Sequence, residues 1–395
     1  MHSVLLLGSG KIGGTIARFL ASTGDYALRV ADVDVQSLAR LREAVDVETL
    51  VLDAGDPAAL ATAMDGCRSV VSALSYRFNS QVAQAALDRG ASYFDLTEDV
   101  TTAQGLRRLA HSAAPGQIFM PQCGLAPGFI SVLGHHLTRS FDALETVHLR
   151  VGALPQFPSN ALNYNLTWST DGLINEYCNP CQAIHEGRAI ELLPLEGLEL
   201  FSLDGVRYEA FNTSGGLGTL GETLEGRVRE LNYRTIRYAG HRDLMAFLIS
   251  DLRLGQRREM LKEILEYAIP MTYQDVVVIF STVIGRHAGR LVQISDARKI
   301  YGQTILGELY SAIQVTTAAG LCAALDLHVN GRLPSTGFVK QEEIDLDDFL
   351  ANRFGRYYRT AGTTRFSKII NDGEQTYDSQ PGSDLSPGAR DTRSA

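Results

Sequence analysis

The chemistry most legible in this chain sits in one short run near its start. Gly8-Ser9-Gly10-Lys11-Ile12-Gly13 sets glycines at the first, third and sixth positions, and an acid, Asp32, stands 22 residues after Gly10. That spacing suits a dinucleotide. Gly8 permits a tight turn, Gly10 lets a pyrophosphate approach the backbone, and Gly13 lets a helix pack closely on a strand. The N–H groups that open the helix at Lys11 and Ile12 face the anion. Asp32 is placed to hold a ribose 2′-hydroxyl. Val33 and Asp34 follow it with no arginine beside them, so a 2′-phosphate would meet carboxylates, and NAD is expected over NADP. Asp53 either lies beside the adenine or caps the helix near Pro57. Ser72-Ala73-Leu74 offers small residues where the nicotinamide ribose would pass.

A second group of residues is able to move protons or grip a small charged ligand. Tyr76 follows the fourth apolar run, and Asp95, Glu98 and Asp99 end or follow the fifth. Asp95 reads as a loop brace, Glu98 and Asp99 as candidate bases, and Tyr76 as a group over the cofactor or substrate. Arg234 and Arg237 are three apart on one strand, so their side chains point to opposite faces. Only one can enter a cleft. Arg237, beside Tyr238 and His241, is the choice for a bidentate grip on a carboxylate; a surface ion pair is its alternative role. His241 is a further proton-transfer candidate, and Ser214 opens a small-residue loop with Gly215 and Gly216 that could approach a substrate. Cys178 and Cys181 form a C-x-x-C with no second pair, and zinc needs about four ligands, so no metal is expected. Cys123 reads as a small apolar filler.

The elements that position these residues alternate strand and helix through residue 125. Apolar runs at 2–8, 27–32, 49–54, 69–74, 92–97 and 117–123 are each followed by a helical period or a turn. This predicts an α/β Rossmann fold, a doubly wound parallel sheet with strand order 3-2-1-4-5-6. Residues 124–128 read as a rigid hinge. Beyond them, alternating runs at 146–151, 206–211, 231–238, 275–285 and 290–297 predict an α+β domain on a largely antiparallel sheet. A turn at 285–289 joins the last two. Helices are expected at 129–140, 243–251, 256–268 and, buried, at 305–326.

Net charge is −9 over 395 residues, which gives no bulk attraction for nucleic acid or anionic lipid. Five cysteines make no disulfide framework. No run is read as approaching the eighteen or so apolar residues of a membrane span. The N-terminus carries no basic region of a signal peptide, and cytoplasm is the expected location.

Five stretches together resemble the saccharopine dehydrogenase-like superfamily, especially bacterial lysine 6-dehydrogenases. They are VLDAGDPAALATAMDGCRSVVSAL (51–74), CGLAPGF (123–129), NYNLTWSTDGLINEY (163–177), FNTSGGLGTL (211–220) and LNYRTIRYAGH (231–241). The resemblance runs from residue 1 to roughly 355. It implies a Rossmann domain at 1–125 completed by roughly 303–360, and a substrate-binding and dimerisation domain at 126–302. A tail at 361–395 is expected to lack order. The resemblance further implies a homo-oligomer, a dimer by expectation, and a small amino acid as substrate. Hydride would pass between nicotinamide and a carbon bearing nitrogen, with oxidation of the L-lysine ε-amine to allysine as the first expectation. A saccharopine-type reductase on a secondary amine is the alternative, and an NAD(H)-binding sensor or scaffold the non-enzymatic one. Trp168-Ser169 matches a tryptophan–serine pair near the substrate in the saccharopine reductase branch. Asn163, Tyr164 and Asp171 flank that pair as contacts for an amino-acid head group.

Overall fold

Strands β1 (His2–Leu7), β2 (Tyr26–Asp32), β3 (Glu48–Val51), β4 (Ser69–Ser72), β5 (Ser92–Asp95) and β6 (Ile118–Met120) form a parallel sheet. The computed structural model that shows this describes residues 1–359, 364–370 and 375–378. The sheet runs β3-β2-β1-β4-β5-β6, as expected, and gains a seventh short strand, Gly337–Phe338, beside β6. Its strands are apolar on both faces because helices cover both. In β1, Val4 and Leu6 enter one core cluster while Leu5 and Leu7 enter another. The strand order reverses at β1, which pairs with β2 on one side and β4 on the other. Ligands bind open α/β sheets at such a switch point.

The second sheet holds β7 (Ala143–Pro155), β8 (Cys181–His185), β9 (Arg188–Leu192), β10 (Glu199–Leu203), β11 (Val206–Asn212), β12 (Val228–Tyr238), β13 (Asp275–His287) and β14 (Arg290–Tyr301). Its main path is β10-β11-β12-β7-β13-β14. All these neighbours are antiparallel except β12 and β7, which run parallel. β13 continues to His287, so the hairpin turn is Ala288-Gly289, both left-handed, and not the five residues expected. Two residues with positive φ match the twist of the flanking strands.

Three further expectations are corrected. The stretch at 305–326 begins with a small hairpin, Gln303–Ile305 with Glu308–Tyr310, and the helix is Ala312–Val329. Ser311 and Gln314 form a capping box that starts it there. That helix has 18 residues and a mean hydropathy of 1.3, long and apolar enough by composition to cross a membrane. It is instead 83% buried, touching β5 of the first sheet and β13 of the second. Two segments within the expected tail form strands as well. Thr364–Ile370 pairs with β14, and Gln375–Asp378 pairs with it in turn. Without that addition β14 would present a row of unpaired backbone groups. Residues 379–395 lie outside the described residues.

Candidate active site

The glycine run is built as a dinucleotide cradle. Gly8 has φ +99, and a Cβ there would lie 2.9 Å from the Ala73 carbonyl oxygen. A Cβ on Gly13 would lie 2.0 Å from the Gly8 carbonyl oxygen. Around Gly10 the space is open to 4 Å. The helix Lys11–Ala21 opens there with no side-chain cap and no acid in its first turn. Free N–H groups facing open space suit an anion, so these residues fit the group their sequence implies.

Asp32 ends β2 against this loop. Its Oδ2 accepts from Ser9 N at 2.6 Å and Ser9 Oγ at 2.8 Å, and its Oδ1 accepts from Asp34 N at 2.9 Å. Burial alone would raise its pKa, but donors from Asp34, Ser9 and Val33 outweigh burial and hold it below the usual value. The carboxylate is therefore charged and retains lone pairs for a ribose. Ile12, Ala73 and Leu74 line the cleft beyond. Lys11 turns toward the second domain, its Nζ 3.8 Å from Met271 Sδ and 5.1 Å from the Tyr273 ring centre.

Two of the cofactor candidates have other partners. Asp53 is exposed and accepts from Gly55 N at 2.8 Å, while the helix at Pro57 is capped by Asp56. Ser72 is buried and its hydroxyl donates to Asn79 Oδ1 at 2.8 Å. Asn79 in turn donates to Asp95 Oδ2 at 3.0 Å. Asp95 also accepts from Tyr93 OH, Thr97 N and Gln122 N, tying together the ends of β4, β5 and β6. Despite these donors, complete burial pushes its carboxyl up to about 6.

Between the two sheets lies a cleft of about 200 Å³, lined among others by Tyr76, Glu98, Trp168, Glu176 and Arg237. Arg237 is 3% exposed. Its Nε donates to the Tyr177 hydroxyl at 2.9 Å and its Nη1 to the Ile236 carbonyl at 2.8 Å. The guanidinium lies over the Tyr164 ring at 5.1 Å. Burial opposes its charge, but Tyr177, Tyr164 and Glu176 outweigh it and hold the pKa above the usual arginine value. No carboxylate stands within ion-pair distance of it among the described residues. Arg234, on the other face of β12, meets Glu199 and Asn212.

Glu98 and Glu176 line the same cleft from different elements, and Glu176 acts on this guanidinium. Burial pushes Glu98 up to about 6, against donors from its own backbone and Asn175. Burial pushes Glu176 up to about 8, with Arg237 pulling the other way and Glu98 adding repulsion. Glu176 is absent from the sequence candidates. It sits on the helix Thr170–Cys178 among the buried Leu173, Ile174 and Tyr177. A lone acid on an inward helical stripe is the signal that marks it.

His241 is not a proton-transfer group. It is fully buried behind Tyr177, with Nδ1 2.8 Å from the Leu162 carbonyl and Nε2 3.0 Å from the Tyr177 hydroxyl. Burial, then Arg237, lowers its pKa to about 3. It stays neutral because a charged ring there would be desolvated beside a cation. Asp99 is no base either, since its Oδ1 accepts from Thr102 N at 2.7 Å and caps the helix Val100–Leu109.

The remaining candidates frame the cleft. Trp168 rests on Gly172, where a Cβ would lie 2.2 Å from its Cζ3. Ser169 lines the cleft, but its Oγ accepts from Gly172 N at 3.2 Å as a helix cap. Asn163 is a left-handed turn residue, φ +50, outside the cleft lining. Ser214 donates to the Pro180 carbonyl at 2.8 Å, and its N–H to the Glu176 carbonyl at 2.9 Å. That loop therefore fixes the helix of Glu176. Asp171 lines the cleft and is ion-paired with Lys262 at 2.7 Å. Cys178 and Cys181 are both free thiols.

Two family models match the chain in tandem: the saccharopine dehydrogenase NADP binding domain over residues 4–119 and the saccharopine dehydrogenase C-terminal domain over residues 124–356. Among curated proteins it is similar to the NADP(+), L-glutamate-forming saccharopine dehydrogenase of Schizosaccharomyces pombe, 24% identical over 205 residues. It is also similar to the mitochondrial alpha-aminoadipic semialdehyde synthase of Rattus norvegicus, 22% identical over 196 residues. These matches cover 49% and 48% of this chain, and 44% and 21% of those proteins, less than half of either relative. The solved apo saccharopine dehydrogenase (L-Glu forming) of Saccharomyces cerevisiae has a TM-score of 0.73 at 16% identity. It covers 94% of this chain and all of that one, and so has the same fold. The NADP in the family model's description leans against the NAD preference read from Asp32. The chain belongs to the saccharopine dehydrogenase family.

Proposed function

We propose that this chain is an NAD(P)-dependent oxidoreductase acting at a carbon–nitrogen bond of an amino acid, with the ε-amine of L-lysine as its first substrate. The observation that carries this reading is Arg237, a buried guanidinium with no carboxylate partner among the described residues, in the cleft beside the glycine cradle. A buried cation of that kind suits a ligand carboxylate.

A bound nicotinamide supplies hydride acceptance and donation at C4. The chain supplies the rest. Arg237 grips the carboxylate. Glu98, pushed up to about 6, is ionised at neutral pH and able to take the proton that an amine must lose before oxidation. The indole of Trp168 and the apolar wall at Ile12 and Leu125 limit water around the reacting carbon.

Charge supports lysine. Asp171 is neutralised by Lys262, which leaves the single guanidinium of Arg237 to meet ligand carboxylates in the cleft. Lysine brings one carboxylate and two amines, whereas saccharopine brings three carboxylates. The saccharopine reading is favoured instead by the name of the Schizosaccharomyces pombe relative, by the descriptions of both family models and by the Trp168-Ser169 pair.

The deciding experiment is reduction of NAD and of NADP by purified protein at pH about 9, where more amine is neutral, with L-lysine, L-ornithine and saccharopine. Turnover of lysine supports the reading. Turnover of saccharopine alone promotes the secondary-amine reaction, and silence with every amine in protein that binds the cofactor removes both.

A further inference from the structure

Glu176 has no part in the hydride chemistry above, yet it is built into the same cleft. It is 6% exposed, and it precedes Tyr177, whose hydroxyl holds Arg237. The influences on its carboxyl are burial and the charges of Arg237 and Glu98, with no hydrogen bond among them. Arg237 and Glu176 each alter the other's proton affinity. They nevertheless form no ion pair among the described residues. A guanidinium and a carboxyl are thus held in one desolvated cleft and kept apart.

A buried guanidinium without a carboxylate, beside a buried carboxyl without a hydrogen bond, is costly unless something completes both. The head group of an α-amino acid is such a thing, since it carries a carboxylate and an ammonium on one carbon. The geometry points to Arg237 and Glu176 as the two halves of a slot for that zwitterion, the guanidinium taking the carboxylate and the Glu176 carboxylate taking the α-ammonium. This rests on the amino-acid reading of the cleft and deepens it. The ligand class becomes an α-amino acid with both head-group charges free. Glu98, which follows β5 on the Rossmann side, remains for the reacting amine.

Surroundings fit the assignment. The groups that interact with Glu176 are Arg237 and Tyr233 from β12, Tyr177 from its own helix, Tyr164, Cys181 from β8 and Glu98. Burial raises the pKa of each of these tyrosines and of the cysteine, so they stay neutral. Without ligand, the carboxyl of Glu176, pushed up to about 8, keeps its proton at neutral pH. A ligand ammonium must displace that proton, so affinity for the zwitterion falls as pH drops below about 8.

The test is calorimetric titration of the full chain at pH about 8.5, with NADH and, separately, NADPH present. The two probes are L-norleucine, which has the zwitterionic head but no ε-amine, and hexanoate, which has the carboxylate alone. We expect L-norleucine to bind about tenfold or more tightly than hexanoate, the usual effect of a charge-assisted hydrogen bond. Glu176→Gln should bring L-norleucine down to the level of hexanoate while leaving hexanoate within about twofold, which also shows that the variant is folded. Arg237→Gln should weaken both. Equal affinities in the unmodified protein, binding of neither probe, or a preference for L-norleucine that survives Glu176→Gln would overturn the slot. If Glu176→Gln does not fold, the comparison of probes on the unmodified protein decides alone. Lysine oxidation without a head-group preference would sink the slot and leave the oxidoreductase reading. A head-group preference without turnover of any amine would do the reverse.

Discussion

The Nε of Arg237 donates to the hydroxyl of Tyr177 at 2.9 Å, and that hydroxyl in turn faces the Nε2 of His241 at 3.0 Å. With His241 neutral and its Nδ1 donating to the Leu162 carbonyl, every hydrogen in this chain has one direction. Arg237 gives to Tyr177, and Tyr177 gives to His241. Tyr177→Phe removes both bonds and leaves a buried ring nitrogen unpaired, a cost of about 1–3 kcal/mol. It also frees the guanidinium to rotate. The expected result is a lower melting temperature and a substrate KM raised about fivefold to tenfold, with kcat changed less. Steady-state kinetics and a thermal melt check this, and an unchanged KM would mean that Tyr177 does not position Arg237.

His241 also makes stability depend on pH. A free histidine titrates near 6.5, and here burial lowers it to about 3. Between those values the unfolded chain binds a proton that the folded chain refuses, so this group's contribution is lost as pH falls from 6.5 toward 3. The slope approaches about 1.4 kcal/mol per pH unit, or about 2 kcal/mol between pH 6.5 and 5. Asp95 and Glu98, whose values are raised, act in the opposite direction in part of that window. The clean measurement is therefore a difference: urea unfolding of the protein and of His241→Asn at pH 7 and pH 5. The variant should be less stable at pH 7 and should lose less on acidification. Parallel losses would remove His241 as the cause.

Glu98 predicts a limb in the rate profile. A base acts only when ionised, so kcat/KM should rise with pH through about 6 and then level once Glu98 is fully ionised. Glu98→Gln should abolish that limb and lower kcat by about 10²–10⁴-fold. The check is a pH series at substrate well below KM. A limb that persists in the variant would belong to another group.

The Rossmann half was legible because its signals are local. Each parallel strand is a short apolar run, the glycine spacing of Gly8-Ser9-Gly10-Lys11-Ile12-Gly13 is read within six residues, and Gly13 is demanded by a contact as close in sequence as the Gly8 carbonyl. The parity of β12 likewise separated Arg237 from Arg234 without any tertiary knowledge. Roles set by partners distant in sequence were not legible. Nothing near His241 reveals that it lies behind Tyr177, 64 residues away. Nothing near Ser214 reveals the Pro180 carbonyl that takes its hydroxyl, 34 residues away. Asp99, read from the sequence as a base, differs from these, because the cap it forms with Thr102 is local and its place just before a helix carried a signal that the reading passed over.

Asp32 and Ser9 predict the cofactor response. The carboxylate is held by two donors of Ser9 and by Asp34 N, so its position is fixed before any ribose arrives. Asp32→Ala should raise the Kd for NAD about tenfold or more, through loss of a charge-assisted bond, and should change the Kd for NADP less or lower it, because a repelling charge is gone. Fluorescence titration with each cofactor decides. Equal weakening of both would make Asp32 a brace for the glycine loop alone.

Trp168 is the chain's single tryptophan, which gives the cleft wall its own spectroscopic reporter. Its ring lies where a side chain on Gly172 would be, with Cζ3 at 2.2 Å and Cη2 at 2.7 Å from an added Cβ. In an exposed helix, Gly→Ala would stabilise by about 1 kcal/mol through propensity. Here the added methyl must displace the indole, and overpacking of that kind costs about 1–3 kcal/mol. The two effects oppose, so Gly172→Ala should change the melting temperature little. The indole cannot stay where it is, and the cleft it lines must change shape. Tryptophan emission should therefore shift, and kcat/KM should fall about tenfold or more, the usual consequence of misplacing a substrate by an ångström. Changed emission with unaltered kinetics would place Trp168 in the wall without a role in binding. Unchanged emission would mean that Gly172 does not set the position of the ring.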